Sequence, residues 1–478
     1  MPPSIAILVW ILLLSALLRF DPAREPNTST AVWVPAIWMF IILTRLPSQW
    51  LGGGGTSAVQ ALEEGNPLDR AVYSLLILLT VVILSRRSFK WNLFFSRNLA
   101  LTIFIFYCLV SVIWSDFPFI AFKRWIRDAG NYLVILVVLS DADPLEAVRS
   151  FFRHLYYLLL PLSILLIKYF PQLGKQYSFW TGATEFVGAA TSKNTLGLMC
   201  LLGGLFFFWD TVARWSKRKE KRTKKILRIN VAFILMALWL LSLSNSATSR
   251  VCLSLGCLIV LAVHSNWGRR SPTLLKVLVP SCFVVYLILA FGFDLNGIFA
   301  SQVGRDPSLT GRTNIWDAVL STHTNPILGT GYDSFWLGDR LNIVWRLAGT
   351  VNESHNGYLE TYLNLGTIGL LLMIGLLLAS YKVICNNLVP SPAFASLTLA
   401  MWLIALFYNM TEASLTPAFM CLTFLWGAVE VPRTTPVSNS AGHLFPKNFG
   451  HGKQNETWSE GRNLAKVKQQ PLKYRHTI

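Results

Sequence analysis

The stretch "NLGTIGLLLMIGLLLAS", residues 364–380, carries no charged side chain and is apolar enough to lie in a bilayer. A helix that crosses the hydrocarbon core needs about 20 mostly apolar residues, and comparable runs recur along the chain. They predict an all-α, polytopic membrane protein with 12 to 13 transmembrane helices, near residues 4–19, 31–46, 70–85, 98–115, 126–140, 151–170, 193–212, 226–244, 247–264, 273–292, 357–381, 394–409 and 414–430.

The composition indicates the same fold class. Of the 478 residues, 53% are hydrophobic and 14% are charged, whereas soluble domains carry about 25% charge. The basic residues behind the net charge of +18 fall between apolar runs, which is typical of loops facing anionic lipid and excludes a nucleic-acid partner. The seven cysteines lie in or beside apolar runs and form no CxxC pair, so neither a disulfide framework nor a zinc site is predicted.

The basic loops predict the orientation of the chain. "RRSFK" at 86–90, "RWSKRKEKRTKKILR" at 214–228, "NWGRR" at 266–270 and the tail from Arg433 all fall on one face if the runs are spans. Because short cytoplasmic loops carry an excess of Lys and Arg, this face is predicted to be cytoplasmic.

The opposite face receives one long segment, 293–356, in which "TGRTNIWDAVLST" and "SFWLGDRLNIVWRL" have the pattern of amphipathic helices. Residues 1–430, with this segment as a long loop on the face opposite the cytoplasm, are predicted to form one transmembrane domain. The polar, basic residues 431–478 are predicted to be a disordered cytoplasmic tail.

Only two of the seven histidines, His323 and His355, are predicted to face outward. His323 is best interpreted as a structural residue in a loop. If the helix of 357–381 extends back to His355, this residue shares one face with Tyr358, Leu359 and Tyr362, beside a polar stripe of Asn356, Glu360 and Asn364. Ionisable groups entering a membrane usually face a water-filled cavity or a partner, so we expect a site at His355, with a purely structural network as the alternative.

Cations on the outer face are the second anomaly, because the charge bias of membrane proteins should exclude them. Each alone could be a snorkelling anchor, but together with few acids they predict a pocket for an anion, since guanidinium groups bind phosphate oxygens bidentately. They are Arg250 in "SNSATSR", Arg312 in "LTGRTNIW", Lys193 in "TSKNTLG", Lys123, Arg124 and Arg127 in "AFKRWIRDAGN", and Arg305, Arg340 and Arg346 in the long segment.

Other chemistries have weaker signals. The chain contains no P-loop, no HExxH and no GxSxG motif. Asp116 in "WSDFP" is an alternative outward base. The pair Asp141 and Asp143 could hold a metal–nucleotide, but it falls on the predicted cytoplasmic side.

Two motifs carry a resemblance to a known family. "LTGRTNIWDAVLSTHTNPILGTGYDSFW" at 309–336 and "ESHNGYLETYLNLGTIGLLL" at 353–372 resemble the core of the O-antigen ligase and polymerase (Wzy-type) superfamily. The family pattern is a GR-x-x-x-W helix, an NP-x-x-G-x-G turn and an HN-x-x-L helix start. "EGNPLDR", "WSDFP", "RWIRD", "TGATEFVGAATSKNTLG" and "SNSATSR" are similar to its exopolysaccharide-production branch. One position departs from the family, which often has a His–Lys–Asn triplet where this chain has Ser192, Lys193 and Asn194.

The resemblance implies a fold of the GT-C glycosyltransferase type in the bacterial inner membrane, with the active face periplasmic. It implies a donor glycan on undecaprenyl diphosphate, whose anomeric carbon is attacked with inversion by an acceptor sugar hydroxyl. The acceptor belongs to a lipid-linked repeat or to lipid A core, and membrane lipids surround the protein. Neither a cofactor nor a metal is implied.

The matching positions imply roles for individual residues. His355 would be the base or the group that orients the acceptor, and Arg250 and Arg312 would contact the diphosphate. Arg124 and Arg127 are second candidates for the diphosphate. The supporting residues are Tyr358 and Glu360, which would orient His355, together with Asn356, Lys193 and Asn194.

Two alternatives stay open. Polymerisation of surface or exopolysaccharide repeats is slightly favoured, and the alternative is a ligase that attaches finished O-antigen to lipid A core or a protein. A polysaccharide or anion transporter would show broken helices with charges near mid-membrane, whereas these charges cluster at one face.

Overall fold

The computed structural model describes residues 1–25, 28–52, 65–87, 89–177, 182–292 and 312–413, which are almost wholly helical. Three short 3-10 helices cover Thr30–Val32, Ser111–Trp114 and Trp215–Lys217, and strands Lys175–Tyr177 (β1) and Thr184–Phe186 (β2) pair antiparallel with Gln176 opposite Glu185. The α-helices are Pro3–Arg19 (α1), Trp33–Leu43 (α2), Pro47–Trp50 (α3), Pro67–Arg86 (α4), Trp91–Arg97 (α5), Leu99–Val110 (α6), Pro118–Leu139 (α7), Pro144–Tyr169 (α8), Pro171–Gly174 (α9), Lys193–Arg214 (α10), Lys221–Ser244 (α11), Ala247–His264 (α12), Asn266–Arg270 (α13), Pro272–Gly292 (α14), Arg312–Ser321 (α15), Gly338–Ala348 (α16), Gly357–Asn386 (α17) and Pro392–Tyr408 (α18).

The all-α, polytopic fold is confirmed. Each of the twelve predicted runs from 4–19 to 394–409 coincides with helix, while 414–430 and the tail 431–478 lie outside the described residues. Within the described part, seven helices are long and apolar enough to cross a membrane, and α5 with the helix that follows it forms a further pair bent by 96°.

The remaining predicted spans are shorter or more polar than expected. Among them, α1, α2 and α18 are apolar but have 17, 11 and 17 residues, and 11 residues of helix reach only about 16 Å of the ~30 Å core. Helix α7 carries Arg124, Arg127 and Asp128 in its first half. The prediction of 12 to 13 full spans therefore exceeds what these helices can provide one by one.

Proline and side-chain caps explain where many helices begin. Pro67, Pro118 and Pro144 stand in the first turn of their helices, where the missing N–H costs nothing. Asp143 caps α8, its carboxylate accepting from the Glu146 N–H at 3.2 Å, and Asp141 pairs with Arg87 at 3.1 Å. Both acids of the "DAD" pair thus have structural partners.

The large core lies among α8, α10, α11, α12 and α18, where Phe152, Phe206 and Trp209 are fully buried. The six described cysteines are free, and Cys421 lies outside the described residues. A second, smaller cluster joins the two amphipathic helices α15 and α16 to the first turns of α17 through Ile315, Val319, Leu341 and Leu363. This cluster confirms the two amphipathic helices predicted in the long segment, of which residues 293–311 lie outside the described part.

The two motifs that carry the family resemblance, at 309–336 and 353–372, pack on each other at a bend in α17 within their described residues. Gly366 has φ +66°, and a Cβ there would lie 2.1 Å from the Ile327 carbonyl oxygen. The turn 325–331 uses this space, since its Gly331 N–H donates to the Asn364 carbonyl at 2.9 Å and its Pro326 carbonyl accepts from the Thr367 N–H at 2.9 Å. The bend therefore fixes the turn against the start of α17.

Ion pairs connect segments that the sequence assigns to the same face. Glu25 pairs with Arg222 at 2.8 Å, which joins the segment after α1 to the basic loop before α11. On the other side, Asp116 pairs with Arg340 at 2.5 Å. We call the part around residues 20–25, 28–33, 141–157 and 210–230 the basic end, and the part around 185–194, 312–360 and 409–412 the His355 end.

Candidate functional site

His355 lies just before α17 and not on it. Asn356 is the N-cap, and its side-chain oxygen accepts from the N–H groups of Tyr358 at 3.1 Å and Leu359 at 3.2 Å. His355 itself has φ 51°, a left-handed conformation that is uncommon for a residue with a side chain. The predicted helical face of His355, Tyr358 and Leu359 is therefore wrong, because the helix begins two residues later than the pattern suggested.

A carboxylate that follows α18 brings the site together. Oε2 of Glu412 lies 3.2 Å from Nδ1 of His355. Oε1 of Glu412 accepts from Nη2 of Arg312 at 3.0 Å and from Nδ2 of Asn194 at 2.8 Å. Glu353 adds a second carboxylate, with its Oε1 3.0 Å from His355 Nδ1. We call these five residues the Glu412 cluster; they come from four separate parts of the sequence.

The cluster is partly buried and balanced in charge. The side chains of His355, Arg312 and Glu412 are 28%, 17% and 14% exposed. Burial lowers the pKa of the His355 imidazole, but the hydrogen bonds and charges of Glu353 and Glu412 outweigh it and raise the pKa to about 9. His355 is thus charged at neutral pH, which opposes a neutral base, and two cations then match two carboxylates.

Local packing explains how His355 reaches Glu412. The N–H of Gly357 donates to the Asn409 carbonyl at 2.9 Å, and a Cβ at this glycine would lie 1.8 Å from Asn409 Oδ1. Only glycine allows the start of α17 to approach the end of α18 so closely. Trp316 on α15 donates from Nε1 to the Ser354 carbonyl at 2.8 Å, which fixes the residue before His355.

The predicted supporting residues Tyr358 and Glu360 bond elsewhere. The Tyr358 hydroxyl donates to the Leu406 carbonyl at 3.2 Å. Glu360 accepts from Trp336 Nε1 at 3.0 Å and from the Ser354 N–H at 2.5 Å. Glu360 therefore holds the turn that carries His355, while the direct partners of His355 are the two carboxylates that the sequence interpretation did not include.

The three residues of the segment Ser192–Asn194 bond to three different partners. Ser192 caps α10 by accepting from the Thr195 N–H at 3.1 Å. Lys193, with its side chain 43% exposed, pairs with Glu185 of β2 at 2.7 Å. Asn194 provides the bond to Glu412 described above, whereas Lys193 lies in a neighbouring ion pair; the supporting role of both residues stays a prediction.

Arg250 lies on the same end, but its exposed guanidinium bonds its own turn. Nη2 donates to the Ser242 carbonyl at 3.1 Å and lies 3.3 Å from Asn245 Oδ1. Two residues earlier, Thr248 accepts a hydrogen bond from the Thr411 hydroxyl at 3.1 Å, next to Glu412. The side chain would have to leave its turn to bind a ligand with Arg312.

Arg124 and Arg127 form a separate group with other carboxylates. Arg124 lies 3.5 Å from Asp333 Oδ2, and Arg127 lies 3.1 Å from Asp128 Oδ1. The Tyr332 hydroxyl donates to Asp128 Oδ2 at 3.0 Å. These pairs connect Tyr332 and Asp333, which follow the turn 325–331, to α7. The structure therefore does not bring the two arginines to Glu412.

A metal has one candidate place among the described residues. Glu353, His355 and Glu412 can each offer one ligand atom, and these atoms lie within 4.8 Å of one another. The donor types suit a divalent transition metal. Arg312 already neutralises Glu412 and His355 carries its own proton, so a cation would have to displace both charges; the side chains fit a metal poorly.

Glu412 could have been found from the sequence. It is the acid of a short segment, 410–413, that the charge pattern places on the outer face. The sequence interpretation names Glu360 and Asp116 among the outward acids but leaves out Glu353 and Glu412, which lie nearest to His355. The signal is an acid at the end of an apolar run, on the face that is predicted to hold several cations.

Comparison with known proteins shows which family the chain resembles. The model of the O-antigen ligase family matches residues 231–374, a range that contains Arg250, Arg312 and His355. This part of the chain is therefore similar to the O-antigen ligase family, which agrees with the resemblance that the motifs indicated.

A relative indicates the branch. The chain is 25% identical over 291 residues to the exopolysaccharide production protein ExoQ of Rhizobium meliloti (strain 1021), covering 58% of this chain and 63% of that protein. The match thus spans less than two thirds of the relative's length. It confirms the resemblance to the exopolysaccharide-production branch. No solved structure matches the chain.

Proposed function

We propose that the protein is an inverting glycosyltransferase of the bacterial inner membrane with a periplasmic active face. It would transfer a glycan from undecaprenyl diphosphate to an acceptor sugar hydroxyl, building surface or exopolysaccharide repeats. The family and the relative support transfer of this type, and the polar cluster at one end of apolar helices supports a place where a lipid-borne donor meets a water-borne acceptor.

The observation that carries the proposal is the carboxylate of Glu412, which holds His355 and Arg312 at once. The reaction needs one group at the acceptor hydroxyl and one cation at the leaving diphosphate. Fixed charges in a partly buried site stabilise developing charge strongly because no solvent must reorganise. Glu412 keeps the two groups adjacent before substrate arrives.

We assign His355 to the acceptor. Its imidazole is protonated at neutral pH, so it can orient the hydroxyl oxygen but cannot take the proton. Arg312 would leave Glu412 for the more highly charged diphosphate, which frees Oε1 of Glu412 to accept that proton. The acceptor oxygen bonds to the anomeric carbon, and the carbon–oxygen bond to the diphosphate breaks with its electron pair on the leaving group.

Secondary roles follow from the contacts. Arg250 would rotate out of its turn to join Arg312 at the diphosphate. Arg124 and Arg127 would act mainly through Asp333 and Asp128, by holding the end of the turn 325–331 against α7. Lys193 and Asn356 would shape the site, the first at its rim and the second as the cap beside His355.

The proposal is tested in a strain that lacks the chromosomal copy and is complemented with variants. His355→Ala and Arg312→Ala should each abolish long glycans on a gel while membrane abundance stays at the wild-type level. The matched controls are His323→Ala and Arg346→Ala, exposed residues of the same types on the same predicted face, which should keep long glycans. Normal glycans in either site variant would reject these assignments.

A ligase is the second candidate, because the matching family model is described as an O-antigen ligase. A polymerase leaves its product on the carrier lipid, whereas a ligase moves it to lipid A core or a protein. Chromatography of the product from purified protein decides between them. Chelator added to the same assay should leave transfer unchanged, and loss of transfer would reject metal independence.

A further inference from the structure

A cavity of about 520 Å³ lies at the basic end, away from the Glu412 cluster. It is bounded by the end of α1, the segment that follows it, and the first half of α8. Six residues of α8 line it at spacings that form one helix face: Glu146, Arg149, Ser150, Arg153, His154 and Tyr157. The cavity therefore presents a row of polar side chains inside a mostly apolar bundle.

The acids of this cavity are already neutralised. Each carboxylate in its wall has a guanidinium partner: Asp21 with Arg153 at 3.7 Å, Glu25 with Arg222 at 2.8 Å, and Glu146 with Arg214 at 3.6 Å. These pairs leave no acid in the wall to attract a cation.

Two guanidinium groups of the wall, those of Arg19 and Arg24, remain available to a ligand, and a third, that of Arg153, has one donor without an acceptor. Arg19 and Arg24 line the cavity and form no ion pair within the described ranges. Arg153 has a side chain only 2% exposed, and its Nε finds no acceptor among the described atoms. An unpaired buried donor is costly and uncommon. Within the described ranges, the positive charges of Arg19 and Arg24 thus have no carboxylate partner.

The surroundings favour a ligand at the membrane surface. Leu8 and Leu12 of α1 are 55% and 61% exposed, as expected for a helix that faces lipid tails, and Arg19 ends this helix. Trp33, also in the wall, stacks on His154 with ring centres 4.5 Å apart, and tryptophan is enriched at the headgroup level. Basic pockets between membrane helices on the cytoplasmic side bind acidic lipid headgroups.

We propose that this cavity binds the phosphate of an anionic phospholipid from the predicted cytoplasmic leaflet. Arg19 and Arg24 hold the phosphate, Arg153 lines the same cavity, and the acyl chains lie along α1. The shared chemistry is a phosphate ester, so a soluble phosphate is the other source. The inference does not rest on the proposed enzymatic function.

The test uses purified full-length protein in detergent, depleted of lipid and titrated with dioleoylphosphatidylglycerol while the thermal unfolding midpoint is followed. The midpoint should rise and saturate with this lipid, and dioleoylphosphatidylcholine should not reproduce the rise. In Arg19→Gln/Arg24→Gln the half-saturating concentration should increase about thirtyfold, as loss of two near-surface arginines implies. Arg269→Gln/Arg270→Gln, which removes two exposed arginines of α13 on the same face, should titrate like wild type.

A parallel titration with sodium phosphate separates the two sources. A saturable rise with phosphate alone, lost in Arg19→Gln/Arg24→Gln, would keep the phosphate chemistry and identify the soluble form as the ligand. The proposal is overturned if both double variants titrate alike, or if phosphatidylcholine raises the midpoint as much as phosphatidylglycerol does.

Discussion

The two ends of the molecule contain the same residue types in different settings. At the basic end, Asp210 is fully buried and receives Arg153 at 2.6 Å, Arg214 at 2.8 Å and Arg149 at 3.1 Å. At the His355 end, Glu412 binds one arginine and one histidine and is 14% exposed. Burial within helices favours a structural role, whereas partial exposure at helix ends leaves the groups free to exchange partners with a ligand.

Asp210→Ala should have the largest effect, and it acts on folding. The substitution leaves the guanidiniums of Arg149, Arg153 and Arg214 without their shared carboxylate. Removal of one partner of a buried ion pair costs about 3–5 kcal/mol. Size-exclusion of detergent extracts should show little monodisperse protein. Asp317→Ala, which removes an exposed acid of α15, should behave like wild type; equal recovery of both variants would show that the buried cluster is not structural.

Glu412→Gln should act on transfer and not on folding. The amide cannot take the acceptor's proton and holds Arg312 and His355 less strongly, so we expect transfer to fall by about 10²-fold with an unchanged unfolding midpoint. Glu353→Gln, which removes the more exposed carboxylate at 40%, should cost less. If both variants lose transfer equally, Glu412 is not the residue that connects the two groups.

Gly366→Ala should disturb the His355 end through the bend in α17. The added Cβ would meet the Ile327 carbonyl at 2.1 Å in a left-handed backbone conformation, and such strain costs about 1–3 kcal/mol. The control is Gly375→Ala in the same helix, where a Cβ meets nothing within 4 Å. The unfolding midpoint should fall in the first variant only; an equal midpoint in both would mean that the bend is dispensable.

The pH dependence of transfer should show the smallest change. Since the pKa of His355 is raised to about 9, the acceptor-orienting imidazolium persists at neutral pH and is lost as the pH rises through about 9. Transfer should then fall about tenfold per pH unit, and in Glu412→Gln the fall should begin at lower pH because one raising charge is gone. Transfer that increases through pH 9 would make neutral His355 the base.

The sequence predicts more of the fold than of the candidate site. Apolar runs marked every described helix that could span, because a bilayer demands a continuous stretch that local sequence shows directly. The predicted number of spans was too high because short helices such as α2 cannot cross the bilayer alone. The outward position of His355 and Arg312, together with the family motifs, predicts that both belong to one site.

The carboxylate that joins them was missed because Glu412 lies 57 residues from His355 and 100 from Arg312. No local periodicity reports a contact across such distances. For Arg250, the sequence shows the motif but not the conformation of the side chain. The turn that holds its guanidinium depends on the left-handed conformation of Asn245, which sequence spacing does not reveal.

The decisive measurement is transfer by purified protein from a lipid diphosphate-linked glycan, with thermal unfolding recorded on the same samples of wild type and His355→Ala. If the His355 end performs the chemistry, the variant should lose at least about 10²-fold in transfer and unfold at the wild-type midpoint. Transfer at the wild-type rate by a folded His355→Ala protein would contradict the assignment of this end as the active site.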